Sequence, residues 1–255
     1  MDPVEPPLIH GVGTALSAWQ NDATLTHLKA LQIDQWPLDA RLVIVAPHPD
    51  DEILGCAGLI QQCDQRGHAI VIVAVTDGEA SHPDSKLYSA QQLAALRIEE
   101  SHRAWQQLKL KQPLQRIALG LNDGQLNKQQ HQLLCGLAAH LQPNDILVST
   151  FSSDGHPDHN ACGAVTQQLA QQHQLACWHV LIWTWHWAQP QDPRVPWQRA
   201  QRLDLEPLQL QRKAEAAACF HTQLQPDHTT GQAAILSPHT LQRLLQTWEV
   251  YLYAN

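Results

Sequence analysis

Two short stretches of this 255-residue sequence gather the side chains that bind metals and move protons. Pro47-His48-Pro49-Asp50-Asp51-Glu52 sets one imidazole beside three carboxylates, and Asp154-Gly155-His156-Pro157-Asp158-His159, far along the chain, adds two imidazoles and two carboxylates. Neutral imidazole nitrogens and carboxylate oxygens suit a divalent zinc, and a catalytic zinc takes three protein ligands and keeps a position open for water. Two histidines and one acid meet that requirement. A metal so held lowers the pKa of its water toward about 7, and a second carboxylate outside the ligand set can take the proton. Asp50 and Asp51 offer one acid for each task, because neighbours on an extended loop point in different directions. Either stretch alone also reads as a polar turn with a helix cap, positions that Asp and Pro favour. What argues for a site is that both follow a predicted strand.

Those strands define the frame. Residues 41–46 (RLVIVA) form a short β-branched run, 53–66 have helical spacing and close at Gly67, and 69–76 (AIVIVAVT) form a second apolar strand, a βαβ unit. The pattern continues with a helix over 89–108, a strand over 115–119, a helix over 127–141 and a strand over 145–150. Helices over 159–172, 208–219 and 238–248 follow, with strands at 177–187 and in the terminal VYLY, and a helix is expected near the start, over 15–31. Strands alternating with helices imply an α/β sandwich with a largely parallel sheet, and in such sheets ligands collect beyond the strands' carboxyl ends. The proline-containing stretches 189–197 and 225–228 read as loops, so residues 1–255 read as one domain without repeats.

PHPDDE followed much later by HPDH resembles the LmbE-like (PIG-L) family of metal-dependent N-deacetylases. The resemblance implies a Rossmann-like three-layer α/β fold and removal of an acyl group, usually acetyl, from the amine of an N-acylated sugar or sugar conjugate. It implies His48, Asp51 and His159 as metal ligands and Asp50 as general base. It also implies His156 as the group that polarises the amide carbonyl or steadies the oxyanion, and Asp158 as the acid that orients a histidine. The metal is expected to be zinc, with ferrous iron or cobalt accepted by the same ligands. Two further segments carry the likeness, Arg97-Ile98-Glu99-Glu100 and Leu119-Gly120-Leu121-Asn122-Asp123-Gly124. Arg97 and Asp123 are thereby candidate substrate contacts, with Glu100 the structural partner of Arg97. Phe220-His221-Thr222-Gln223 resembles a His/Ser-Gln position of some members, which makes His221 a further candidate. The run 181–188 (LIWTWHWA), read as a strand, puts three indoles on one face and His186 on the other, so His186 or a tryptophan could line a sugar site.

Composition narrows the partners. A net charge of −8 offers no overall basic surface for nucleic acid or anionic lipid, and no apolar run reaches the length of a membrane span. The acidic, proline-containing start lacks the basic and apolar parts of a signal peptide, so a cytoplasmic protein acting on a small molecule is expected. Six dispersed cysteines without a Cys-x-x-Cys pair read as reduced thiols. Two rival readings share the donor set. A non-haem iron oxygenase with a two-His-one-carboxylate site predicts an all-β barrel, and a sugar-binding module without catalysis predicts a blocked cleft.

Overall fold

Leu42, Ile44 and Ala46 face one apolar layer and Val43 and Val45 face another, which is the two-residue period of a strand, β2 (Leu42–Ala46), covered on both sides. The computed structural model that shows this describes residues 9–254; residues 1–8, most of the acidic start, and residue 255 lie outside the described residues. On its two sides β2 pairs in parallel with β3 (Ile70–Ala74) and β5 (Ile146–Thr150), both wholly buried. Outward from these lie β4 (Gln115–Ala118) and β6 (Ala176–Val180). With β1 (Lys29–Ala30), β7 (Ala200–Asp204) and β8 (Trp248–Tyr253) they form an eight-stranded sheet of order β1-β7-β8-β6-β5-β2-β3-β4, antiparallel only where β8 meets β6 and β7.

Helices cover both faces. One layer contains α1 (Leu16–Gln20), α2 (Ala23–Thr26), α3 (Asp51–Arg66), α4 (Ala90–Gln107), α8 (Pro207–Ala217) and α10 (Pro238–Leu244). The other contains α5 (Gln130–Ala138) and α6 (Pro157–His173). Two single-turn helices, α7 (Thr184–Trp187) and α9 (His221–Leu224), stand beside the cleft described below. The expected three-layer α/β sandwich is therefore the observed one, and an open sheet of this kind is not the barrel an oxygenase would need.

Local expectations differ in places, and the helix expected over 238–248 ends at Leu244, before β8. The helix over 15–31 is two short helices and β1, because the Asp22 carboxylate accepts from Thr24 N–H and starts the chain afresh. The strand over 177–187 stops at Val180, because Asp154 takes the backbone N–H groups of Ile182, Trp183 and Thr184 and turns the chain into α7. β7 goes unread in the sequence since half-buried Gln201 and Arg202 interrupt its apolar residues.

The helix that opens with Asp51 is pinned at its middle. A Cβ on Gly55 would stand 2.8 Å from Val180 Cγ2, and one on Gly58 2.7 Å from Leu205 Cδ1, so α3 lies closer to its neighbours than side chains would allow. At the same turn Glu249 of β8 accepts from Gly58 N–H (2.8 Å), Leu59 N–H (3.0 Å), Lys213 Nζ (2.7 Å) and the Tyr251 hydroxyl (2.7 Å). Both members of the Lys213–Glu249 pair are buried. Removing one partner of such a pair strands the other charge, so Lys213→Met is expected to lower stability in urea denaturation by about 3–5 kcal/mol. Adding Glu249→Gln should restore part of the loss.

On the opposite layer, His179 of β6 is buried with Nε2 donating to Gly163 O (3.2 Å) on α6, and burial pulls its pKa down to about 4. An unfolded histidine near 6.5 takes up a proton that the folded one refuses, so this contribution is full above pH 6.5 and is lost as the pH falls toward 4. His179→Gln is expected to flatten the wild-type loss of stability between pH 7 and 4.5 by about 2–3 kcal/mol, read from urea midpoints.

Candidate active site

From β2 the chain proceeds outward to β3 and β4, then returns to β5 on the other side of β2. The crevice between the carboxyl ends of β2 and β5 is thus a topological switch point, where open α/β sheets bind ligands. Both sequence clusters meet there, around a cavity of about 290 Å³ lined by His48, Asp50, Asp51, His156 and His159 among others.

The first loop is held from several sides. Pro47 O accepts from both Thr76 N–H (3.2 Å) and Thr76 Oγ1 (2.8 Å), which ties the end of β2 to the segment after β3. Asp50 has φ +133°, a conformation unfavourable for a side-chain-bearing residue, and the surroundings enforce it. Glu52 Oε2 accepts its N–H (3.1 Å), and Arg97 Nη2 reaches both Pro49 O (2.8 Å) and Asp50 Oδ2 (3.1 Å). Burial, partly countered by Arg97, pushes the Asp50 carboxyl up to about 7.

His48 and His159 are each oriented from behind. Nε2 of His48 stands 3.1 Å from Asp123 Oδ1 and 3.3 Å from Asp158 Oδ2, and Nδ1 of His159 stands 2.8 Å from Asp154 Oδ2. Each ring therefore gives one N–H to carboxylate and turns its other nitrogen toward Asp51. Oδ2 of Asp51 lies 3.4 Å from His48 Nδ1 and 3.3 Å from His159 Nε2. Donors about 2.1 Å from a tetrahedral metal are about 3.4 Å apart, so these two separations suit zinc. Burial opposes charge on both rings, yet the surrounding carboxylates overcome it, holding His48 well above its usual range and taking His159 up to about 9. Burial likewise opposes ionisation of Asp51, and the two histidines hold it far below the usual carboxylate range.

Two sets of three potential donors also converge. One ring nitrogen each of His48, His156 and His159 lie within 4.8 Å of one another, as do atoms of His48, Asp123 and Asp158. Asp51 Oδ2 accepts one backbone N–H, that of His48 (3.1 Å), while His156, Asp123 and Asp158 are tied more fully to the surrounding loops. Nδ1 of His156 accepts from Asp158 N–H (3.2 Å), so in the neutral ring Nε2 carries the proton and offers no lone pair. Burial and the charges of His159 and His48 bring its pKa down to about 3, so the ring is neutral. Asp158 accepts from Gly124 N–H (2.7 Å) and Leu126 N–H (3.0 Å), and Asp123 from Ala80 N–H (2.9 Å), which commits these acids to the loops and to His48.

Not every expected contact is free to meet a ligand. Arg97 and Asp123 line the cavity, where Arg97 bonds to Asp50 and to the carbonyls of Pro49 and Gly78 with its Nε left without a partner, and Asp123 bonds to His48 and Ala80. Glu100 bonds to Thr222 N–H (2.8 Å) and Oγ1 (2.7 Å) rather than to Arg97. His186 lies outside the cavity, since α7 turns it toward His10 O (3.0 Å) and Arg243 Nη2 (2.9 Å). His221 is exposed, and Gln223 two residues on lines the cavity in its place. Of the three indoles offered for a sugar site, Trp183 is the one on the cavity wall. Sequence reasoning misses two groups: Gln223, in a motif read for His221, and Asp154, which has no exposed surface and stands five residues before His159.

Residues 43–170 match the family described as GlcNAc-PI de-N-acetylase (PIG-L), half of the chain, and the protein belongs to that family. Among curated proteins it is 26% identical over 125 residues to a diacetylchitobiose deacetylase of Thermococcus kodakarensis, covering 48% of this chain and 46% of the relative. It is 27% identical over 128 residues to a probable N-acetyl-alpha-D-glucosaminyl L-malate deacetylase 2 of Bacillus subtilis, covering 48% of this chain and 57% of the relative. The matched part thus spans about half the length of these relatives. A solved structure of an A40926 pseudoaglycone deacetylase shares the fold with a TM-score of 0.55 at 17% identity, over 84% of this chain and 96% of that one.

Replacing Asp154 by Asn would present an amide N–H to His159 Nδ1 and favour the opposite tautomer, with the proton on the nitrogen that faces Asp51. Asp154→Asn is therefore expected to weaken zinc binding about 10–100-fold, measured by competition with a chromophoric chelator. Unchanged affinity would show that Asp154 does not set the ring.

Proposed function

We propose that this protein is a metal-dependent N-deacetylase, a hydrolase that cleaves the acyl amide of a small N-acylated sugar or glycoconjugate and releases a carboxylic acid and a free amine. Carrying the proposal is the convergence on Asp51 Oδ2 of two histidine nitrogens whose far sides are held by carboxylates, beside a separate acid, Asp50, in one cavity. The names of the related deacetylases support the reaction class and the sugar-type substrate. A cavity of about 290 Å³ suits a single acylated ring. His48, Asp51 and His159 would hold the metal, zinc by donor type, with ferrous iron also compatible. When bound, it would supply Lewis-acid polarisation and a lowered water pKa.

The chain's own residues account for the rest. Oδ2 of Asp50 is engaged by Arg97, which leaves Oδ1 to take a proton from the attacking water. As hydroxide adds to the amide carbon, the carbonyl oxygen gains charge, and the Nε2–H of neutral His156 donates to it. The C–N bond then breaks while Asp50 returns its proton to the departing nitrogen, which balances the reaction. Asp123 and Asp158 keep His48 in its tautomer, and Arg97 acts on the substrate through Asp50. The indole of Trp183 and the amide of Gln223 stand on the cavity wall to meet a sugar's CH face and hydroxyls. We infer one catalytic domain acting in the cytoplasm, where six free cysteines stay reduced, with no nucleic-acid or membrane partner. No helix among the described residues is long and apolar enough to cross a membrane.

Mass spectrometry of N-acetylated sugars and glycosides incubated with zinc-loaded protein tests the reaction. Loss of one acetyl group is expected, abolished by a chelator. Asp50→Asn is expected to keep its metal and lose about 10²–10⁴ in kcat, whereas Asp51→Ala loses the metal itself. Normal turnover by Asp50→Asn at saturating substrate would remove Asp50 as the base.

A further inference from the structure

A groove of about 670 Å³ lies away from the catalytic cavity, where α4 ends and the chain enters the edge strand β4. Its floor is apolar, formed by Trp105, Leu110, Pro113 and Leu114. Among the described residues every charged side chain on its wall is a cation, Lys109, Lys111 and Arg116, and no carboxylate lines it, in a chain whose net charge is −8. Lys111 and Arg116 are partly engaged, by Gln65 O (3.1 Å) and Asp77 Oδ1 (2.5 Å). Lys109 is exposed and forms no ion pair among the described residues. The wall is preformed, because the buried Asp64 carboxylate accepts the backbone N–H groups of Lys111 (2.9 Å) and Gln112 (3.1 Å). A cation at the end of a helix is favoured in any case. That preference does not account for an open apolar floor beneath three of them.

We propose that this groove binds a small amphipathic anion, a flat or aliphatic body on Trp105 and Leu114 with one acidic head at Lys109. The volume falls within the range of small-molecule sites, and an apolar lining with a few convergent charges is their usual composition. The floor is also wired to the active site. Nε1 of Trp105 donates to Glu52 Oε1 (2.8 Å), and Glu52 Oε2 holds the N–H of Asp50 (3.1 Å), the residue kept at φ +133°. An occupant that shifts Trp105 therefore alters the hold on Asp50 and changes turnover. This coupling rests on the deacetylase reading; the binding does not.

The test uses 1-anilinonaphthalene-8-sulfonate with metal-loaded protein, followed by dye fluorescence, with N-phenyl-1-naphthylamine as the same rings without the sulfonate. One sulfonate dye per chain is expected, bound at least fivefold more tightly than the uncharged one and not displaced by N-acetylglucosamine. Lys109→Asn should weaken the sulfonate dye at least fivefold with unchanged Tm, since Asn tolerates the φ of +52° found at Lys109. Equal binding of the two dyes, an unaffected variant, or displacement by N-acetylglucosamine would overturn the site. Coupling is read separately, as a change in kcat with the sulfonate dye in wild type that Lys109→Asn does not show. Dye binding without such a change would overturn the coupling alone, and absence of deacetylation in both proteins would count against the deacetylase reading and leave the groove standing.

Discussion

Six buried carboxylates, Asp50, Asp51, Glu52, Asp123, Asp154 and Asp158, surround one crevice, and among the described residues only Arg97 supplies a lysine or arginine charge to any of them. Burying ionised groups on this scale is prohibitive unless each is hydrogen-bonded and offset. The fold meets the demand by exporting the charge to backbone. Asp154 faces three consecutive N–H groups, Asp158 two, and Glu52 one together with an indole N–H. Asp51 is met by the His48 N–H (3.1 Å) and by the rings of His48 and His159, which is where the donor set suits a cation.

α4 is the element that keeps this arrangement in register. Its start is fixed locally by a capping box in which Ser89 and Gln92 exchange side-chain bonds with each other's backbone. Along its length it presents Arg97 to the Asp50 carboxylate, Glu100 to Thr222 beside Gln223, and Trp105 to Glu52. Residues three and eight apart share a helix face, so a single rigid rod sets the proton-accepting loop and the opposite wall of the cleft together. A longer or shorter spacing between Arg97 and Trp105 would satisfy one end of that loop and lose the other.

Most strands and helices and the two metal-type clusters were legible because each depends on neighbours in sequence: an apolar run, a 3.6-residue period, or His and Asp a few positions apart. What escaped depends on partners remote in the chain. Asp154 reads as one more turn residue until its acceptors are matched with the N–H groups of residues 182–184. Those same bonds end the strand that would have carried His186 toward a cleft. The choice between His221 and Gln223 turns on which side of a single helical turn faces the cavity, and composition is silent on that. Arg97 was legible as a residue of interest, but its bonds to two carbonyls and Asp50 are a product of how α4 meets the Asp50 loop.

His156 and His159, one turn apart on the same helix, show how far partners decide what an imidazole can do. At His156 a backbone N–H points at Nδ1, so the neutral ring carries its proton on Nε2 and can only donate there. At His159 a carboxylate faces Nδ1, so the proton sits on that side and Nε2 offers a lone pair. The electrostatics separate the rings too: the first is drawn down to about 3, while the carboxylates around the second raise it to about 9, so its Nε2 is a basic nitrogen whose lone pair is freed when the ring gives up that proton. Exchanging the two residues' surroundings would exchange their chemistry. The histidine spacing in HPDH thus sets out two similar side chains, and Asp154 together with the first N–H groups of α6 makes them different.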